Sequence, residues 1–140
     1  MNEISRGIRN HNPGNLREAA DGGECWDGER STNDDLAFEE FDSPEYGIRA
    51  LCRVLLVYYS KYNLNTVEKI INRYAPPSEN DTTAYIDVVC RRLGVQHNTE
   101  IWVPRSGTME LLVRAIITHE NGEQPYNDKT ILDGIHLALR

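Results

Sequence analysis

The sequence predicts a mainly α-helical fold of about five helices, with a small loop-rich lobe on the N-terminal side. Apolar residues recur at three- and four-residue spacing through much of 44–140, whereas 6–41 is rich in glycine, asparagine and aspartate and shows little periodicity. A length of 140 residues suits one compact domain. We therefore expect a single domain, 1–140, with an acidic lobe over 6–41 and a helical core over 44–140.

The first two predicted helices have clear starts and ends. Ser43 and Pro44 open a helix of about four turns. Its inward positions are Ile48, Leu51, Cys52, Leu55, Leu56 and Tyr59. A second helix starts near Thr66 and must end at Ala75-Pro76-Pro77, because proline lacks an N–H donor and restricts the residue before it.

Three further helices are marked by their caps. Asn80-Asp81-Thr82 opens the third, and Gly94 is its expected C-terminal cap. The fourth runs from about 108 to 119 and ends before Gly122, and Asp128 is expected to cap the last. In the lobe we expect at most a short strand at 36–41, as part of one small hairpin.

Charge and composition narrow the classes of function. Lys and Arg number 15 against 22 Asp and Glu, a net charge of −7, so nucleic acid is not expected as a partner. The longest apolar run, 54–59, is far too short to cross a membrane. With no signal peptide at its start, the protein is expected to be made in the bacterial cytoplasm without membrane insertion.

Cysteine and histidine spacing offers no metal or cofactor site. Cys25, Cys52 and Cys90 are odd in number and widely spaced, which favours neither a disulfide framework nor a C-x-x-C motif. Cys52 and Cys90 fall on apolar helix faces, where we expect buried structural thiols. The four histidines lack H-x-x-x-H or H-E-x-x-H spacing, so we expect no metal and no other cofactor.

Glu120 is the first candidate for chemistry, in the run His119-Glu120-Asn121-Gly122. It extends the apolar stripe of Leu112 and Ile116 and lies at the negative end of its helix, and both features disfavour an ionised carboxylate. A carboxyl that keeps its proton near neutral pH can serve as a general acid. The alternative is a solvated glutamate beside an ordinary helix cap.

Two segments of the lobe are candidates for sugar binding. The asparagine-rich run 9–16 offers amides that can bind sugar hydroxyls and N-acetyl groups, although the same residues are ordinary turn formers. Trp26 presents an aromatic face that can stack on a sugar ring or fill a small satellite core. Phe38 and Phe41 are expected to anchor the lobe to the first helix.

Taken together, these motifs resemble a family of small phage proteins described as structural or virion-associated. The resemblance covers nearly the whole chain. It is carried by RGIRNHNPGNL at 6–16, WDG at 26–28, FEEF at 38–41, GIRA at 47–50, YAPPSENDT at 74–82 and HENG at 119–122.

A more distant likeness is to the lysozyme superfamily, in particular lytic transglycosylases and flagellar-type glucosaminidases. In those families a helix that ends in the catalytic Glu precedes a Gly- or Asn-rich loop, whereas here the matching segment, 111–122, follows that loop and lies near the C-terminal end of the sequence. The resemblance therefore implies a lysozyme-like α+β fold in circularly permuted order, since permutation is compatible with surface termini. It implies Glu120 as catalyst and a substrate groove lined by Asn15, Trp26, Tyr74, Asn80 and Tyr85.

The implied activity is cleavage of peptidoglycan glycan strands after release from the cell or delivery by a virion. A lytic transglycosylase would use Glu120 alone as acid and base. A muramidase would use a second carboxylate, for which Glu24, Asp27, Glu29 and Asp35 are available. The alternative is a non-catalytic virion component that binds glycan or other virion proteins, because fold does not determine function.

Overall fold

The computed structural model describes residues 4–18, 26–32 and 34–140 and is mainly helical. Its helices are α1 (Arg6–Arg9), α2 (Pro44–Tyr62), α3 (Val67–Tyr74), α4 (Thr82–Leu93), α5 (Ser106–Asn121) and α6 (Asp128–Leu139). Among these residues, β-pairing is limited to two isolated antiparallel bridges, Arg17 with Phe38 and Glu29 with Phe41. None of the helices described combines the length and apolar character that crossing a membrane requires.

The five long helices confirm the elements that the sequence predicts. Thr66 and Asp81 cap α3 and α4 with their side chains, and α4 and α5 end at Gly94 and Gly122 in the left-handed region. Three bounds were wrong. The helix α2 spans 19 residues, which is longer than the expected four turns. The helix α5 begins two residues early, and Asn127, not Asp128, caps α6 by accepting from the backbone N–H of Thr130.

The core lies where α2, the longest helix, packs mainly against α6, while α5 packs on both α4 and α6. Gly134 lets α6 approach α2 closely, since a Cβ there would lie 2.6 Å from the Cβ of Ile48. Gly47 has a similar role in α2, where a Cβ would lie 1.8 Å from the carbonyl oxygen of His11. Cys52 and Cys90 are buried free thiols, as the apolar pattern predicts.

The lobe differs from the prediction because isolated backbone pairs and side-chain hydrogen bonds, rather than continuous strands, hold it together. Asn12 is buried and its amide donates to the carbonyl oxygens of Leu16 and Glu39, at 2.9 and 3.0 Å. The expected strand at 36–41 makes only the two isolated bridges, and α1 is an additional single-turn helix capped by Ser5. Phe41 is fully buried beneath the lobe.

Candidate active site

A cleft of about 320 Å³ lies between the lobe, α2, the end of α3 and the end of α5. Four of the six predicted site residues line it: Asn15, Tyr74, Asn80 and Glu120. These residues are far apart in sequence, so the fold rather than local spacing brings them together. The full lining consists of Gly14, Asn15, Leu16, Arg17, Phe38, Tyr58, Tyr74, Ala75, Glu79, Asn80 and Glu120.

Glu120 lies in the last turn of α5 and is half-buried at the wall of the cleft. The Asn15 side chain donates from Nδ2 to Oε1 of Glu120 at 3.1 Å. Asn15 has a φ of 52°, in the left-handed region that asparagine tolerates better than most residues. The turn conformation therefore directs an amide donor at the candidate acid.

Asn121, the next residue, fixes the end of α5 to the N-terminal segment. Its Oδ1 accepts from Ser5 Oγ at 2.7 Å, and its Nδ2 donates to the carbonyl oxygen of Pro13 at 2.8 Å. Gly7 permits this contact, because a Cβ there would lie 2.6 Å from Asn121 Oδ1 and 2.7 Å from Asn15 Oδ1. We call this group, Ser5, Gly7, Pro13 and Asn121, the asparagine clasp. It sets the position of Asn15 relative to Glu120.

Two tyrosines lie beside Glu120. The Tyr74 hydroxyl donates to the carbonyl oxygen of Gly14, and burial, followed by the charge of Glu120, raises its pKa well above the usual value. Tyr85 is fully buried, and its ring stacks on His119 with 3.7 Å between centroids. Its pKa is also raised, first by burial and then by the charge of Glu120. Both phenols therefore remain protonated at neutral pH.

The Tyr85 hydroxyl is buried without a hydrogen-bond partner among the residues that the structure describes. A buried hydroxyl without a partner loses free energy relative to one in water. Because the Tyr85 ring stacks on His119, the residue before Glu120, this hydroxyl is a candidate donor to a group at the end of α5. Tyr85 is not among the residues that line the cleft.

The rim of the cleft carries a charged pair that the sequence analysis missed. Glu79 is exposed, and Arg17 Nη2 lies 3.7 Å from its Oε2. The Arg17 guanidinium also lies over the Phe38 ring, 5.1 Å from the centroid. Asn80 is exposed at the same rim and donates from Nδ2 to the carbonyl oxygen of Pro76 at 3.3 Å.

Tyr58 and Phe38, which also line the cleft, were not expected there. We predicted Phe38 as an anchor of the lobe and considered Tyr59 rather than its neighbour in α2. Tyr58 falls beside the apolar stripe of α2, so its flanking position is the signal that would have found it. Arg17 and Glu79 carry no such signal, because their pairing spans the lobe and the loop after α3.

The carboxylates considered as second catalytic groups lie elsewhere. Asp27 is exposed and pairs with Arg49 at 3.2 Å. Asp35 is buried and receives two hydrogen bonds from Arg6, at 2.5 and 2.7 Å, which hold its pKa well below the usual range. Neither lines the cleft, nor does Glu29. Glu24, like Cys25, lies outside the described residues.

Trp26 is half-buried and is not among the residues that line the cleft. Its backbone N–H donates to Oε2 of Glu29 at 3.1 Å. Glu29 in turn lies near Glu18 and Glu39, with one carboxylate oxygen of each within 4.8 Å of the others. Such oxygens suit a hard cation such as Ca²⁺, although acidic groups also gather at surfaces without one.

The cleft thus combines one half-buried carboxyl with an amide donor and the protonated phenol of Tyr74, while the phenol of Tyr85 is buried against His119. This set can transfer a proton to and from a bound polar molecule, and its amides can orient a sugar. Its open, polar walls suit a hydrated polymer better than a small apolar ligand.

Comparison with known proteins identifies a phage relative. Protein P5 of Pseudoalteromonas phage PM2 is 42% identical to this chain over 134 residues, which are 96% of this chain and 82% of that protein. No protein-family model matches the chain. The phage origin expected from the sequence motifs is therefore confirmed, while the name of the relative states no activity.

Proposed function

We infer the function of this chain from its cleft and from the fact that it belongs to the family of Protein P5 of Pseudoalteromonas phage PM2. We propose that it cleaves the glycan strands of bacterial peptidoglycan, with Glu120 as general acid and base. The observation that carries the proposal is the half-buried Glu120 carboxyl at the wall of an open polar cleft, with Asn15 donating to it at 3.1 Å.

In the proposed reaction, Glu120 gives its proton to the glycosidic oxygen as the bond from that oxygen to the anomeric carbon breaks. The leaving sugar departs as an alcohol, and positive charge develops on the sugar that remains. The Glu120 carboxylate then removes the proton of that sugar's own C6 hydroxyl, whose oxygen bonds to the anomeric carbon and closes an anhydro ring. Asn15 donates to the carboxylate through both steps, and the Tyr85 hydroxyl is the phenol available to do the same, because the Tyr74 hydroxyl donates to Gly14.

The distribution of carboxylates favours this route over hydrolysis. Hydrolytic glycosidases usually place two carboxyl groups about 5 Å apart when they retain configuration, or about 6.5–9.5 Å apart when they invert it. In the cleft, Glu120 is half-buried, whereas Glu79 is exposed and paired with Arg17. Asp27 and Asp35 are paired elsewhere. Among the carboxylates that the structure describes, this distribution favours a mechanism with one catalytic carboxyl over a muramidase.

The asparagine clasp supports a lysozyme-like core in permuted order. In lytic transglycosylases the helix that ends in the catalytic Glu is followed along the chain by an Asn- or Gly-rich loop. Here the corresponding segments are joined in space, because Ser5 and Pro13 hydrogen-bond to Asn121 and Asn15 hydrogen-bonds to Glu120. In the proposed permuted core, these hydrogen bonds would connect the two segments that are continuous in lytic transglycosylases.

Mass spectrometry of soluble fragments from purified peptidoglycan tests the proposal. We would compare the unmodified protein with Glu120→Gln and with Glu123→Gln, a matched control one residue beyond the helix cap that is exposed and outside the cleft lining. Anhydromuropeptides from the unmodified protein and Glu123→Gln, and none from Glu120→Gln, support a transglycosylase. Since this substrate lies outside the cytoplasm, the protein would act after cell lysis or from the virion.

Two other results would change the assignment. Reducing-end fragments that depend on Glu120 would indicate a hydrolase, and Glu79→Gln would then test the second carboxylate of the cleft. No fragments from any folded variant would refute catalysis. Binding of the Glu120→Gln variant to intact peptidoglycan would in that case favour the non-catalytic glycan-binding virion component.

A further inference from the structure

Arg73 is held between two tyrosine rings at the edge of the cleft. Its guanidinium carbon lies 4.6 Å from the centroid of the Tyr62 ring and 5.5 Å from that of Tyr58. Arg73 lies in the last turn of α3 and is exposed, whereas both tyrosines belong to the last two turns of α2. Tyr62 is 43% exposed, so this group faces solvent.

This group of Arg73, Tyr58 and Tyr62, which we call the arginine sandwich, adjoins the candidate active site directly. Tyr58 lines the cleft, and Tyr74, the residue after Arg73, lines it as well. A polymer that extends beyond Glu120 along α3 would therefore meet the guanidinium. The sandwich lies outside the residues that the proposed chemistry uses.

The charge of Arg73 is not neutralised by a nearby acid. Five other arginines form ion pairs with carboxylates: Arg6, Arg17, Arg30, Arg49 and Arg114. Arg73 forms none with the carboxylates of 4–18, 26–32 and 34–140, although the chain carries 22 acidic residues and a net charge of −7. Other arginines such as Arg92 also form no ion pair with the described carboxylates, so what distinguishes Arg73 is its contact with two tyrosine rings beside the cleft.

Stacking suits Arg73 to bind a carboxylate. Aromatic rings against a guanidinium restrict its orientation, so less side-chain entropy is lost when a ligand binds. A planar guanidinium matches a carboxylate through two parallel hydrogen bonds from its in-plane N–H groups. A second cation lies at the same ring, since Lys61 Nζ is 5.4 Å from the Tyr62 centroid, and it adds to the positive charge that a carboxylate would meet.

We propose that the arginine sandwich is a subsite that recognises a carboxylate carried by the muramic acid of the glycan strand. The inference rests on the proposed function, because it takes peptidoglycan as the ligand. Muramic acid offers this group as a free lactyl carboxylate on strands without peptides, or through the carboxylates of an attached stem peptide. Arg73 would thereby distinguish peptidoglycan from a neutral polymer of N-acetylglucosamine.

Binding to the inactive Glu120→Gln protein tests the subsite without requiring cleavage. The ligands are a peptide-free muramyl tetrasaccharide, the same tetrasaccharide with stem peptides, the carboxamide form of each, and chitotetraose. We expect at least one carboxylate ligand to bind roughly tenfold more tightly than its carboxamide. A preference confined to the peptide-free pair identifies the lactyl group, and one confined to the other pair identifies the stem peptide.

Further substitutions in the same background assign the preference to Arg73. Arg73→Gln should abolish the preference, while chitotetraose still binds and the loss of the two ring contacts lowers the melting temperature by only a few degrees. Arg73→Lys should retain only part of it, because lysine lacks the planar fork. Arg92→Gln, which removes an exposed arginine from the last turn of α4, should leave it intact.

Three results would overturn the subsite. The first is equal affinity for carboxylate and carboxamide ligands, and the second is a preference that survives Arg73→Gln. The third is the absence of all glycan binding. The fragment assay with intact Glu120 reports separately on cleavage. A carboxylate preference without any cleavage would leave the subsite established and the catalytic proposal refuted.

Discussion

Removal of the Asn121 side chain should weaken the contact between the two ends of the sequence. In Asn121→Ala, the Ser5 hydroxyl loses its acceptor at 2.7 Å and the Pro13 carbonyl oxygen loses its donor at 2.8 Å. Each hydrogen bond contributes about 1 kcal/mol, so the free energy of unfolding should fall by about 2 kcal/mol. For a chain of this length the melting temperature should fall by about 6–10 °C.

Asn72→Ala is the matched control for this experiment. Asn72 is exposed on α3 and donates only to the carbonyl oxygen of Glu68 in its own helix, at 2.9 Å. Both substitutions gain the higher helix propensity of alanine, so their difference isolates the contact between segments. Urea denaturation followed by circular dichroism measures the free energies of unfolding, and the control should change by less than about 0.5 kcal/mol.

A double-mutant cycle with Ser5→Ala sharpens the result. The two side chains share one hydrogen bond, so we expect a coupling energy of about 1 kcal/mol. If Asn121→Ala is no less stable than Asn72→Ala, or if the Ser5 and Asn121 effects are fully additive, the clasp does not hold the segments together. Activity in the fragment assay should also decrease in Asn121→Ala, since the clasp positions Asn15 beside Glu120.

Three further predictions follow from close packing and buried charge. Gly47→Ala should prevent soluble expression or lower the free energy of unfolding by about 3 kcal/mol or more, since its Cβ would lie 1.8 Å from a carbonyl oxygen. Gly107→Ala is the control and should not destabilise the protein, because the space around Gly107 is open. Arg6 lowers the pKa of Asp35, so their pairing stabilises the fold above pH 4 and this stabilisation is lost as the pH falls. Asp35→Asn should have a lower free energy of unfolding at pH 7 and lose less of it below pH 4, and equal acid sensitivity of the two proteins would contradict this. Burial raises the pKa of Cys52 to about 12, so a Cys25→Ser/Cys90→Ser variant should react with a thiol reagent at pH 8 only after unfolding, and rapid native labelling would disprove it.

The long helices could be predicted because their signals are local. Proline at Pro44, side-chain caps at Thr66 and Asp81, and Gly122 after Glu120 each define an end within a few residues. The short helix α1 has only four residues, too few for a periodic pattern, and its cap Ser5 is held from outside by Asn121. Contacts between distant residues therefore decide the structure of the lobe.

The residues of the candidate site also form two groups, those that local motifs predict and those that only the fold brings together. Glu120, Asn15, Tyr74 and Asn80 could be selected from motifs, and the structure brings them to one cleft. Arg17 and Glu79 could not, because they meet only when the lobe packs beside the loop after α3, and neither lies in a periodic pattern. Arg73 was missed for a related reason, because its proposed binding role depends on contacts with two tyrosine rings of another helix.

The asparagine clasp also determines when a functional cleft can exist. Asn15 and Glu120 are separated by 105 residues, and Ser5 and Asn121 by 116. At ordinary rates of translation, about 5–20 s pass between synthesis of the first partner and synthesis of the second. A nascent or prematurely terminated chain that lacks the end of α5 therefore has no completed cleft, and the proposed activity would arise only in a nearly full-length product.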